Sequence, residues 1–150
     1  MKRLLLPCLV LLCACGSEAK KEETPAPPAL TTADLAGSFT GTSMAATSDS
    51  VVGTWTSSVM IDSAGAAQGR FVSASNPKDT VSFTQRIEGD SVISESAPYT
   101  DAAMPKGSPQ VHWKAIGRGM GSEWSGTVDI MPVGKDTVIT HLRWKSTRTP

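Results

Sequence analysis

The chain of 150 residues balances 14 Lys or Arg against 14 Asp or Glu, so its net charge gives no argument for nucleic acid or a strongly anionic surface as partner. Its three cysteines, Cys8, Cys13 and Cys15, all fall within the first 15 residues, which leaves the remainder without a thiol for disulfides, metal ligation or nucleophilic catalysis. Gly, Ser and Thr are frequent and no long run of strong helix formers occurs, which argues against a helical bundle.

Lys2 and Arg3 precede an apolar run at 4–12, broken only by Pro7 and Cys8. The run is about nine residues, whereas a helix needs roughly 20 to cross a bilayer. It ends in Leu12-Cys13-Ala14-Cys15, followed by Gly16, Ser17 and Glu18, which do not prolong it. This pattern resembles the bacterial lipoprotein signal, with a Leu three places before a cysteine and a small residue directly before it. The resemblance implies removal of residues 1–14 and a diacylglyceryl group, with palmitate-like acyl chains, on Cys15. Cys13 fits worse as the modified residue because the bulky Leu12 precedes it. Two or three acyl chains, at about 0.8 kcal/mol per buried CH₂, anchor a protein stably. Gly16 in place of Asp after the cysteine implies the outer membrane of a two-membrane envelope, on its periplasmic or surface face. An ordinary secretory leader is the competing reading.

Residues 15–33 then form the lipidated cysteine and a tether. Lys20, Lys21, Glu22 and Glu23, followed by Pro25, Pro27 and Pro28, show no apolar period and favour extended conformers. At about 3 Å per residue the tether reaches up to roughly 50 Å from the lipid.

From 34 to 150 the chain is long enough for one domain, with ten basic and eleven acidic residues. Candidate strands come in chain order at 35–44, 51–60 and 69–75. Val81, Phe83 and Ile87 next alternate with Ser82, Thr84 and Arg86, with Gln85 as a polar exception on the apolar parity. Glu88-Gly89-Asp90 turns the chain into a strand at 91–96. Val111, Trp113 and Ala115 alternate with His112, Lys114 and Ile116, and Gly117-Arg118-Gly119-Met120-Gly121 reads as a bend or bulge rather than a phosphate loop, since no Gly-Lys-Ser/Thr ending follows. Trp124, Gly126, Val128 and Ile130 share one parity of a half-buried strand. A turn from Pro132 to Asp136 leads to Val138, Thr140, Leu142 and Trp144 on one face, with His141, Arg143 and Lys145 on the other. The sum is an all-β fold of about eight antiparallel strands in a meander, closing as a small barrel that removes exposed edges, with a β-sandwich as the alternative.

Ser38-Phe39-Thr40-Gly41-Thr42, Val52-Gly53-Thr54-Trp55-Thr56 and Trp124-Ser125-Gly126-Thr127 each set an aromatic among Gly and Thr. These phrases are similar to the Gly-x-Trp starts of lipocalin-like and avidin-like barrels. No complete signature accompanies them, and they carry over neither a ligand nor binding residues.

His112 and His141 both fall on the polar parity of their strands. With Glu123 or Asp129 they offer too few close ligands for a Zn or Cu site, so no metal and no cofactor is expected. No Gly-x-Ser-x-Gly elbow is present, and Glu88, Glu95 and Glu123 have no distinctive placement for paired-carboxylate chemistry. The segment 97–110 is the longest connection. Its Pro98, Tyr99, Asp101, Met104 and Lys106, with Trp113 on the next strand, form the candidate ligand or partner loop. His141, Arg143, Lys145 and Arg148 suggest a basic stripe for anionic headgroups or an acidic partner, or simply protection of a strand edge.

The leading expectation is a noncatalytic, lipid-anchored protein of the bacterial cell envelope that binds a protein or other envelope component. The alternatives are a carrier of a small apolar ligand inside the barrel, and a hydrolase or metal-dependent enzyme. Interior volume separates the first two: a filled core argues against a carrier, and a cavity lined by Trp55, Trp113, Trp124 or Trp144 argues for one. The enzyme requires His112 or His141 to join a carboxylate and a hydroxyl, or a metal centre.

Overall fold

A computed structural model of the chain describes residues 29–150; the leader, Cys15 and the tether through residue 28 lie outside the described residues. The strands are β1 (Gly37–Ala45), β2 (Val51–Ile61), β3 (Ala67–Ser73), β4 (Thr80–Glu88), β5 (Ser91–Ser96), β6 (Val111–Met120), β7 (Glu123–Pro132) and β8 (Thr140–Thr149). Each pairs antiparallel with the next, and β8 pairs back onto β1, closing the sheet into a barrel. The period-two pattern thus resolves in favour of the barrel over the sandwich. On β7, Trp124, Gly126, Val128 and Ile130 turn inward and Glu123, Ser125 and Thr127 are exposed, as the alternation predicts.

Glycine makes the narrow interior wide enough for its rings. Gly41 lies directly across from Trp55, Gly69 from Phe83 and Gly119 from Trp124. A Cβ at any of these glycines would fall within the facing ring. Gly117 and Gly126 pair with each other beneath Trp144. The run 117–121 is therefore not a bend. Gly117 through Met120 continue β6 in register with β7, because their glycines are the seats of Trp144 and Trp124. The actual turn is Gly121-Ser122, with Gly121 at φ 62°. Val138 also departs from expectation: it precedes β8 and is exposed rather than facing inward.

The two barrel ends differ. At one, the connections are tight, at 62–66, 89–90 and 121–122. Here Asp62 closes its turn by accepting from the backbone N–H groups of Ala64 and Ala66 at 2.9 Å each and from Gln68 Nε2 at 2.9 Å. These donors hold its carboxyl below the usual carboxylate range. The same end is plugged by a 3-10 helix, Thr32–Leu35, preceding β1. Leu35 is 2% exposed in the core, and Leu30 packs against it, so the folded unit begins a few residues before 34. At the other end the connections are longer, at 46–50, 74–79, 97–110 and 133–139.

Candidate functional site

Five inward rings form a continuous arc within the barrel. Centroids are 6.4 Å apart for Trp144 and Trp55, 5.5 Å for Trp55 and Phe71, 6.0 Å for Phe71 and Trp113, and 5.4 Å for Trp113 and Phe83. Their planes are inclined by 39° to 63°, the tilted and edge-on arrangements that aromatic quadrupoles favour. Trp144 is fixed further by its indole N–H, which donates to the Thr127 carbonyl at 3.1 Å. Nearer the plug, Phe39 and Trp124 meet edge to face at 6.4 Å and 85°.

One row across the wall is built of small or polar residues instead. Ala67 stands opposite Gln85, Gln85 opposite Ser94, and Ser94 opposite Ala115. Gln85 Nε2 donates to Ser94 Oγ at 2.9 Å. Gln85, Ser94 and Ala115 do not fill the space the arc leaves, and the barrel interior holds a cavity of about 160 Å³. This is neither a filled core nor the roughly 300–1,000 Å³ of a drug-sized site. It matches the scale of an apolar cavity of about 150 Å³, which accepts a benzene-sized guest.

Of the candidate loop, the structure brings Tyr99 and Trp113 together at this cavity. Tyr99 forms a two-way backbone bridge with Val111, donating to it at 2.8 Å and accepting at 2.9 Å, and Val111 is fully buried. The loop is thereby pinned at the long-connection end. Burial, with Asp101 nearby, pushes the Tyr99 phenol up to about 12. Pro98, Asp101, Met104 and Lys106 do not line the cavity. Asp101 instead shapes the loop, its carboxylate accepting from the Ala103 N–H at 2.9 Å.

The basic stripe does not form as expected. Arg148 has the opposite parity from His141, Arg143 and Lys145, so its guanidinium lies 5.3 Å from the Phe39 ring centroid and donates to the Asp34 carbonyl. Arg143 holds the β1–β2 turn through the Ser48 carbonyl at 2.6 Å and the Asp49 carboxylate at 2.9 Å. His141 Nδ1 pairs with Asp129 across β7 and β8. Lys145 is exposed on the outer face. His141, Arg143 and Arg148 are thus spent on separate structural contacts, and Lys145 alone of the four has no such contact among the described residues.

His112 faces Met131 across the sheet, apart from the His141–Asp129 pair, and Glu123 is at the far end of β7. Among the described residues no three His, Cys, Asp or Glu side chains converge. Glu88 and Glu95 both bind Arg86 on the outer face, at 2.7 Å and 3.0 Å. The Arg86 contact holds the Glu95 carboxyl below its usual range.

Nothing in the sequence marks Ser94, and Gln85 is visible there only as a polar break in an apolar parity; that break is the readable signal, whereas its partner on the neighbouring strand emerges only with the register. No family model matches the chain, and no curated protein and no solved structure matches it.

Proposed function

We propose that this chain is a noncatalytic, lipid-anchored protein of the bacterial envelope whose barrel binds a small apolar molecule in its interior. The observation that carries the reading is the cavity of about 160 Å³ beside the aromatic arc. Its largely apolar walls supply dispersion contacts, and burial of apolar surface favours transfer of an apolar guest from solvent. The anchor rests on the Leu12-Cys13-Ala14-Cys15 pattern. A guest of benzene size would bind with a dissociation constant on the order of 0.1–1 mM.

A second reading, an envelope protein as partner, is favoured by the apolar rim of the long-connection end. Val51, Val52, Val133, Val138 and Ile139 are all between 43% and 57% exposed there.

Intact-mass analysis of protein purified from its native membrane tests the anchor, and a toluene titration of the folded chain tests the cavity. Loss of residues 1–14 with lipid added on Cys15 supports the anchor; an unmodified cysteine argues against it. Saturable quenching or shift of tryptophan emission by toluene supports the cavity, and no response up to its solubility argues against it.

A further inference from the structure

We propose that the interior site selects a neutral, hydroxyl-bearing monocyclic molecule, whose ring packs on the aromatic arc and whose hydroxyl is held by Gln85 and Ser94. The inference rests on the cavity reading above and assigns that cavity its ligand chemistry. Size comes first. A space of about 160 Å³ takes one ring and its substituents and is too small to hold a long acyl chain whole.

Charge comes next. Among the described residues no Asp, Glu, His, Lys or Arg lines the cavity. An ionised guest would lose its hydration without gaining a counterion, a far larger cost than burying a neutral polar group. The cavity is therefore built against carboxylates and ammonium groups.

The polar anchor follows from Gln85. A Leu at this position would satisfy the inward parity of β4, yet the chain places an amide there, facing Ser94, which is itself only 7% exposed. The hydrogen bond of 2.9 Å from Gln85 Nε2 to Ser94 Oγ uses one amide hydrogen and one hydroxyl lone pair. The second amide hydrogen, the amide oxygen and the serine hydroxyl proton have no other hydrogen bond among the described residues. Their hydrogen-bonding capacity includes both donors and acceptors within one neighbouring pair. A hydroxyl group, which can donate and accept, complements that pair, whereas a methyl group wastes it. Ala115, which lines the cavity opposite Ser94, leaves room for the guest beside the pair.

The test titrates the full chain at pH 7 with toluene, p-cresol and p-toluate, following tryptophan emission. p-Cresol is expected to bind at least as tightly as toluene, with no saturable response to p-toluate. In Gln85→Leu, p-cresol should weaken about tenfold, as expected when a buried hydroxyl loses its partner, while toluene changes less than threefold. Ser94→Ala should weaken p-cresol in the same direction; near-UV circular dichroism identifies variants that retain the aromatic packing, and Gln85→Met replaces Gln85→Leu if the latter does not. Toluene binding with p-cresol tenfold weaker in the unaltered chain, equal losses for both guests in folded variants, or saturable p-toluate binding would each overturn the selection of a neutral hydroxyl compound while leaving an apolar cavity. Failure of both toluene and p-cresol to bind would instead reject the cavity reading itself.

Discussion

Gly41, Gly69, Gly117 and Gly119 do their work by lacking a side chain: each leaves inner-wall space for an aromatic ring. Replacing Gly119 by Ala forces Trp124 off its seat, and should cost about 1–3 kcal/mol in denaturant unfolding, as overpacking does. Gly53, with nothing within 4 Å of an added Cβ, is the control and should tolerate Ala with far smaller loss. Tyr99 supplies a pH prediction at the same scale. It is the only tyrosine, so absorbance near 295 nm follows it alone, and its titration should centre near 12 rather than near 10. Because the folded value is the higher one, the folded state holds its proton more tightly. The associated stability is fully present below the unfolded pKa and is lost as pH rises through the folded one.

The plug, the strands and the loops divide the labour among elements. Leu35 and Phe39 fill the tight end, and Arg148 spans them from β8 by lying against Phe39 and donating to the Asp34 carbonyl. Thr31 donates to the Asp34 carboxylate from its backbone N–H at 2.7 Å and from its hydroxyl at 2.6 Å, which holds that carboxyl below the usual range and rigidifies the start of the plug. Leu35→Ala should cost about 2–5 kcal/mol through the cavity it leaves. Arg148→Met should cost about 1–2 kcal/mol and speed hydrogen exchange at the Ala36 amide, which donates to the Ala33 carbonyl. Strand parity was legible in the sequence because one face of each strand is buried, and that alone located Trp113, Trp124 and Trp144 on the interior. The role of Gly117 and Gly119 was not legible, since a glycine cluster reads equally as a turn until register shows which ring lies above it. Arg148 escapes the same reading for a related reason: proximity in sequence groups it with Arg143 and Lys145, although an odd offset along a strand reverses the face.

At the scale of the molecule, the chain enters the barrel at its plugged end, where Gly37 pairs with Val59, and the apolar rim lies at the opposite end. Under the proposed anchoring, the tether therefore holds the barrel by its closed base and leaves the rim and its long loops free. A Cys15→Ser variant should move from the membrane fraction to the aqueous fraction and bind toluene with unchanged affinity, because the cavity uses only residues of the barrel and its plug and loop. Fold class followed from periodicity, whereas the cavity did not, because interior volume is the small difference between a barrel's fixed girth and the side chains that fill it. The most direct measurement is a crystal of the protein pressurised with xenon. The cavity account predicts a xenon peak inside the barrel, between the arc of Trp55 and Trp113 and the row of Gln85 and Ser94. A barrel interior without xenon, with side chains closed over that space, would contradict it.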